Sequence, residues 1–336
     1  MQDFSQAMTT SEINSLKNRI FYSAPEAFNE LALEVFQFQA RHVNLYRKYL
    51  EYLDINPSSI KKVEEIPFLP VEFFKNEPII TENMEVGRYF QSSGTTGINH
   101  AKHYLAEEEI YQQAILKAFE DAYGSVKDYI FYALLPAYAE RENSSLVYMM
   151  HFLMAESGNG NNHWYLYNHE ALANALVIKS TKKKFLMGVS FALLDFAEQF
   201  QIDLSDVIVM ETGGMKGRRT ELIREELHAI LMDKFKVNTI HSEYGMTELL
   251  SQAYSKGNGI YHSSPWMRIL IREVNDPFSY VPQGQTGGIN IIDLANLFSC
   301  SFIAVKDLGK LHNEDTFEVL GRFDNSDLRG CSLLYE

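Results

Sequence analysis

The chain is short of cysteine and of positive charge, and it has no long apolar run. Its two cysteines, Cys300 and Cys331, are too few for a disulfide framework and lack metal-cluster spacing. Lys and Arg number 30 against 44 Asp and Glu, a formal net charge of −14 over 336 residues. No basic tract or basic helical face offsets that balance, which argues against nucleic acid or an anionic membrane surface as the main partner. No segment reaches the ~20 apolar residues that a membrane-spanning helix needs, so integral membrane association is not expected. The opening Met1-Gln2-Asp3-Phe4 has neither the basic start nor the apolar stretch of a signal peptide, and a cytoplasmic location is the expectation. Low-complexity segments and internal repeats are also missing.

What is present is a folded chain's composition, 46% hydrophobic and 22% charged, long enough to bury a sizeable core. Aromatic residues make up 13%, which fits a generous core and also permits an apolar acyl tunnel. Apolar positions recur at helical spacing through Phe28, Leu31, Val35 and Phe38, and again through Val43, Tyr46 and Leu50. Pro57 stops the second of these helices, and Pro67, Pro70 and Pro78 then break the chain into an extended connector. A further helix is predicted from Ala106 to Tyr123, ending at Gly124. Beyond it, short β-rich runs (Tyr129–Leu135, Lys184–Val189, Val207–Met210, Val237–Ile240) alternate with helical stretches (Phe191–Phe200, Gly217–Phe235), as in an α/β body with a largely parallel sheet. The last part reads as strands at Met267–Val274, Gly288–Leu294, Ser299–Val305 and Phe317–Gly321, a β-rich subdomain packed on that body. The expected organisation is a helical N-terminal segment and connector over 1–85, followed by an α/β core with its β-rich subdomain and tail over 86–336.

Three short pieces carry chemistry. In Ser92-Ser93-Gly94-Thr95-Thr96-Gly97, two glycines let the backbone approach an anion while hydroxyls and N–H groups supply donors to phosphate oxygens. It is not a P-loop, since the GK[ST] ending is missing, and alone it reads more readily as a polar connecting loop. Tyr244-Gly245-Met246-Thr247-Glu248 follows a strand candidate and so falls at the carboxyl edge of the sheet, where α/β ligands sit. There Glu248 could hold Mg²⁺, Thr247 could donate to an α-phosphate and Tyr244 could stack on adenine; a Glu in the first turn of a helix is the plainer alternative. Asp307 could accept from ribose hydroxyls with Arg322 reinforcing it, or both could be solvated turn charges. Glu211-Thr212-Gly213-Gly214 closes another strand, and its two glycines either line an adenine pocket or make a tight turn.

In this order and spacing the pieces resemble the adenylate-forming superfamily of acyl-CoA synthetases and related ligases. The likeness is closer to the acyl-protein synthetases of bacterial luminescence (LuxE type), through Phe74-Lys75, the SSGTTG loop, Glu211–Lys216, Tyr244–Glu248 and Gly321-Arg322. The resemblance implies the large-domain fold of that superfamily, with ATP and Mg²⁺ as cofactors. It places the triphosphate on Ser92–Gly97, adenine on Tyr244, phosphate on Thr247, magnesium on Glu248 and ribose on Asp307, with Arg322 near a hinge. It further implies activation of a carboxylic acid, here a fatty acid, as acyl-AMP. The acyl group then passes to a cysteine near the C-terminus, where Cys331 stands, and on to an acceptor protein such as a fatty-acyl reductase. A CoA or carrier-protein ligase with an external thiol acceptor is the nearest alternative, and a non-catalytic nucleotide binder a more distant one.

Two departures from the family pattern stand out. Gly97 leads into Ile98-Asn99-His100-Ala101-Lys102, so any lysine contact to phosphate would come from a shifted Lys102. The mobile C-terminal domain of the superfamily, with its adenylation lysine, is expected to be truncated, since no lysine follows Lys310.

Overall fold

In the computed structural model, which describes residues 10–92, 100–136, 143–213 and 222–322, three helices open the chain. These are α1 (Thr10–Tyr22), α2 (Phe28–His42) and α3 (Asn44–Tyr52). The apolar spacing of α2 puts Leu31, Ala32, Val35 and Phe36 on one buried face, as an amphipathic helix requires. Asp54, in the left-handed region at φ 55°, turns the chain out of α3 before Pro57. The connector contributes the two-residue strand β1 (Leu69–Pro70), and a hairpin follows, β2 (Arg88–Gln91) with β3 (Lys102–Leu105).

Helix α4 (Glu108–Tyr123) ends where expected, at Gly124 with φ 84°. After it come β4 (Tyr129–Leu134), α5 (Ser145–Ser157), β5 (His163–Tyr165), α6 (His169–Val177), β6 (Lys183–Val189), α7 (Ser190–Gln199), β7 (Val207–Thr212), α8 (Arg224–Phe235) and β8 (His241–Tyr244). The five strands of this run are parallel, in the order β5-β4-β6-β7-β8. That is the doubly wound order in which a crevice opens between the carboxyl ends of neighbouring strands whose connections leave in opposite directions. Strand β4 is buried along its whole length, which explains its unbroken apolar run.

The sheet then changes hand of pairing. Strands β9 (Ala253–Ser255), β10 (Ile260–His262), β11 (Met267–Arg272), β12 (Thr286–Asp293), β13 (Phe302–Leu311) and β14 (Thr316–Arg322) extend it antiparallel in the order β8-β9-β10-β14-β13-β12-β11. Strand β1 runs parallel to the start of β13, with Leu69 opposite Ile303. The mixed α/β architecture, with a parallel body and a C-terminal run of antiparallel strands, is the fold class that the alternating pattern predicts. At the outer edge the Arg272 guanidinium is buried and donates to the carbonyls of Ile289 (2.6 Å) and Val305 (2.8 Å). It lies across Gly288, where a Cβ would come within 2.6 Å of Arg272 Cζ.

One strand falls later than its apolar run suggests. Val237–Ile240 is irregular, and the strand is His241–Tyr244. Lys236, left-handed at φ 55°, ends α8, and the chain must first cross to the sheet before it can pair with the carboxyl half of β7, Met210 opposite His241 and Thr212 opposite Glu243. Similarly Cys300, expected in a strand, is fully buried just ahead of β13, its thiol pushed up to about 12 by burial.

The core lies between α4 and the parallel strands. Phe119 of α4 has its ring 5.2–5.5 Å from those of Tyr123, Tyr129, Phe131 and Phe185. The N-terminal helices pack against the C-terminal strands: Phe21 meets Trp266, just ahead of β11, at 5.0 Å and Phe36 meets Phe302 of β13 at 6.0 Å. Among the described residues no helix is long and apolar enough to cross a membrane. Phe119→Ala is expected to cost about 3–5 kcal/mol, because the void is walled by rigid rings that cannot collapse into it. Urea unfolding with an unchanged m-value measures it, and a loss below about 1 kcal/mol would place Phe119 outside the core.

Candidate active site

The chain leaving β8 makes no strand through Glu248, and its shape is imposed by neighbours. Gly245 is exposed and close to its own flank: a Cβ there would lie 2.3 Å from Glu243 Oε1. Next, His103 of β3 lies with Nδ1 2.9 Å from the Thr247 carbonyl oxygen, so Nδ1 carries the proton and donates. The Asn296 side chain donates from Nδ2 to the Glu248 carbonyl at 2.8 Å. Asp293, at the end of β12, accepts from the N–H groups of Leu250 (2.8 Å) and Ser251 (3.0 Å) and from the Ser251 hydroxyl (2.5 Å). Four of the five positions from 247 to 251, all but Leu249, are therefore held by these three side chains.

Beside this turn the Tyr244 hydroxyl donates to Asp307 Oδ2 at 2.8 Å. The Tyr244 ring is buried edge-on to Tyr261 (5.9 Å) and Phe317 (5.7 Å). The other Asp307 oxygen lies 3.4 Å from Nε of Arg322, directly across the β13–β14 ladder, and the Arg322 side chain is 74% exposed. Burial raises the Asp307 carboxyl, while the Tyr244 hydrogen bond and then the Arg322 and Arg272 charges hold it down. The same burial, with the Asp307 charge, pushes the Tyr244 phenol well above its ordinary range.

Glu248 is buried, and burial pushes its carboxyl up to about 7. Its own backbone N–H and the charges of Arg322 and Lys75 oppose that rise, whereas Asp307 adds to it. Glu243, beneath Gly245, is also pushed up to about 7, by burial first; a hydrogen bond from the Thr212 hydroxyl opposes the shift and the Glu211 charge adds to it. The His103 imidazole goes the other way, down to about 4, because burial disfavours its cation.

Of the residues singled out from the sequence, Tyr244, Gly245, Thr247, Glu248, Asp307 and Arg322 come together at this end of the sheet. Ser92 is at the stem of the glycine loop, where its N–H donates to the Ala101 carbonyl and its hydroxyl accepts from the Ala101 N–H, both at 3.0 Å. Gly213, at φ 69°, closes β7, and its carbonyl accepts from the Ser190 hydroxyl at 2.7 Å. Ser93, Gly94, Thr95, Thr96, Gly97, Gly214 and Cys331 lie outside the described residues. Sequence reasoning passed over His103, Glu243, Asp293 and Asn296. The first had no motif around it, Glu243 lies in a polar stretch with no strand period, and Asp293 and Asn296 sit at the end of an apolar strand run and in the turn after it, where a polar residue reads as solvent-facing.

Magnesium suits this donor set. No group of three or more His, Cys, Asp or Glu side chains that could enclose a metal exists among the described residues. Mg²⁺ does not require one, since it binds through one or two carboxylates plus phosphate oxygens and water. A carboxylate already taxed by burial, as Glu248 is, gains when a cation is placed beside it.

Each raised carboxyl contributes stability that is lost as pH rises, against the opposite slope contributed by the depressed His103 and His241 imidazoles. A proton held by Glu243 in the folded chain up to about 7 is released by the unfolded chain near the ordinary carboxyl range, so the folded form is favoured most below that range and loses ground as pH climbs through 7. Glu243→Gln is expected to flatten urea stability between pH 5.5 and 8 and to raise it at pH 8. A variant whose pH slope equals that of the wild type would contradict the burial of a neutral Glu243.

No family model matches the sequence, and comparison with curated proteins finds no match. Solved structures do match. The ATP-bound MatB from Rhodopseudomonas palustris superposes with TM-score 0.55 at 16% identity, over 70% of this chain and 48% of that one. A long-chain-fatty-acid-CoA ligase (FadD1) from Archaeoglobus fulgidus gives 0.55 at 17%, over 76% and 55%. A 2-hydroxyisobutyryl-CoA ligase in complex with 2-HIB-AMP and CoA gives 0.61 at 13%, over 97% and 74%. The chain spans about half the length of the MatB structures it matches. Identities this low speak to the fold alone, and on that point they agree: the chain has the fold of the adenylate-forming ligases.

Proposed function

We propose that the chain activates a carboxylic acid, a fatty acid in the first instance, by adenylation, and then takes the acyl group onto Cys331 as a thioester. The observation that carries this reading is the meeting of Tyr244, Glu248, Asp307 and Arg322, with a hydrogen bond joining Tyr244 to a carboxylate 63 positions away in the chain. Motifs that are weak singly gain weight when they converge at the carboxyl end of β8 beside the stem of a glycine loop.

A carboxylate oxygen attacks the α-phosphorus of ATP in line, forming the acyl–phosphate bond as pyrophosphate leaves. The work asked of the protein is positioning and charge stabilisation. In this reading the Ser92–Gly97 loop cradles the triphosphate, Thr247 donates to the α-phosphate, and Asp307, braced by Arg322, accepts from the ribose hydroxyls. Gly213, Gly214 and Gly245 leave bare backbone beside Tyr244 for the adenine. Mg²⁺ held by Glu248 would neutralise phosphate charge. The Cys331 thiolate then attacks the acyl carbon, the thioester bond forms and AMP departs with the electron pair. Delivery to a fatty-acyl reductase or a similar acceptor completes the sequence. A second reading, a ligase passing the acyl group to CoA, is favoured by the likeness to a CoA-bound ligase structure.

Intact-protein mass after incubation with Mg·ATP and a panel of fatty acids separates the two. The expected result is an acyl-sized, hydroxylamine-labile gain in the wild type that Cys331→Ala abolishes. Acid-dependent AMP formation that needs CoA and survives Cys331→Ala would move the acceptor to CoA. Glu248→Gln is expected to slow acid-dependent pyrophosphate release by about 100-fold, the scale of losing one preorganised charge contact. An unchanged rate would remove Glu248 from the metal role.

A further inference from the structure

Two buried polar atoms under the Thr247–Glu248 segment have no partner among the described residues, and their side chains line the same small cavity. His103 is 1% exposed, and with Nδ1 donating to Thr247 its Nε2 is left as a bare acceptor. Asn296 is fully buried, and with Nδ2 donating to Glu248 its Oδ1 is left as a second bare acceptor. The cavity between β3 and the β12–β13 corner offers about 10 Å³ to the centre of a water molecule, room for one. Two bare acceptors on residues that line one such space call for an occupant with two donors and almost no size, and water has both properties.

We propose that a single internal water donates to His103 Nε2 and Asn296 Oδ1 and ties the two side chains into one clamp on the Thr247 and Glu248 carbonyls. His103 and Asn296 are then positioning residues: they touch no substrate, and they set the peptide planes from which the Thr247 hydroxyl and the Glu248 carboxylate project. Both ends of the clamp are anchored. The His103 ring packs edge-on against Phe74 at 5.6 Å, and the Asn296 carbonyl accepts from Gln39 of α2 at 2.9 Å. An apolar residue at either position would fill the space but leave the turn free to rotate. The kinetic consequence rests on the adenylation reading above, whereas the water does not.

The test uses the full chain. A high-resolution crystal structure is expected to show one ordered water within hydrogen-bonding distance of both atoms, lost in His103→Leu. In acid-dependent pyrophosphate release, His103→Leu and Asn296→Ala are each expected to lower kcat about 10-fold, the equivalent of one lost buried hydrogen bond, with the KM for ATP within about twofold of wild type. Because both act through one water, the double variant should be little worse than either single one. His103→Asn, which keeps a donor at the Nδ1 position, is expected to recover part of the rate. A dry cavity, losses that multiply to about 100-fold in the double variant, or an effect on KM alone would overturn the proposal. Should the wild type release no pyrophosphate with any acid, the adenylation reading fails, and electron density at the cavity still decides the clamp. Should His103→Leu not fold, the wild-type density and His103→Asn decide it.

Discussion

One buried carboxylate organises the end of the sheet where the site lies. After β8 the chain must turn away, and its N–H groups have no strand to pair with. Asp293 takes the N–H groups of Leu250, Ser251 and Ala295 and the Ser251 hydroxyl, which in turn accepts from the Trp266 indole N–H at 2.8 Å. A carboxylate buried this deeply is costly unless its oxygens are fully engaged, and here burial pushes the acid up while four hydrogen bonds pull it back. The same corner receives Gln39 of α2, which donates to the carbonyls of Asn296 and Leu297 and accepts from the Ser301 N–H. Helix α2, the β2–β3 hairpin and the β12–β13 corner thus converge beneath the turn from Thr247 to Ser251.

The electrostatics follow from that convergence. Glu243, Glu248, Asp293 and Asp307 are all buried, and burial raises each of their carboxyls. The charges that oppose this at Glu248 and Asp307 come from the exposed side of the site, Arg322 and Lys75 for the first and Arg322 for the second, with Arg272 behind it. A buried carboxylate with few cations around it gains most from a metal ion or a ribose hydroxyl, which is what the proposed roles of Glu248 and Asp307 require. The fold does not choose the acyl acceptor. Thioester formation on a protein cysteine and on CoA begins from the same adenylate, and a shared architecture hosts either.

Much of this was legible in the sequence for a simple reason: the amphipathic period of α2, the unbroken apolar run of β4 and the glycine after α4 are local consequences of backbone geometry. The β8 strand was misplaced by a few residues because its members, Ser242 and Glu243 among them, are polar and buried, and only pairing with β7 makes them a strand. Helix α5 escaped notice because its apolar residues are spread around it rather than gathered on one face, leaving no period to read. Of the residues that meet at this end of the sheet, those with a motif (Tyr244, Thr247, Glu248, Asp307, Arg322) could be singled out from the sequence and those without one could not.

The sequence alone therefore determined the alternation that makes an α/β body, the order of the three motif segments and the acidic, cysteine-poor character of the chain, since each is written in nearest neighbours and composition. Only the tertiary structure decided that Tyr244 reaches Asp307, that Asp293 and Asn296 hold the turn bearing Glu248, and that His103 presents Nδ1 to Thr247. Those contacts join positions tens to hundreds of residues apart, and a buried polar side chain shows its role only once the partner that satisfies it is in place.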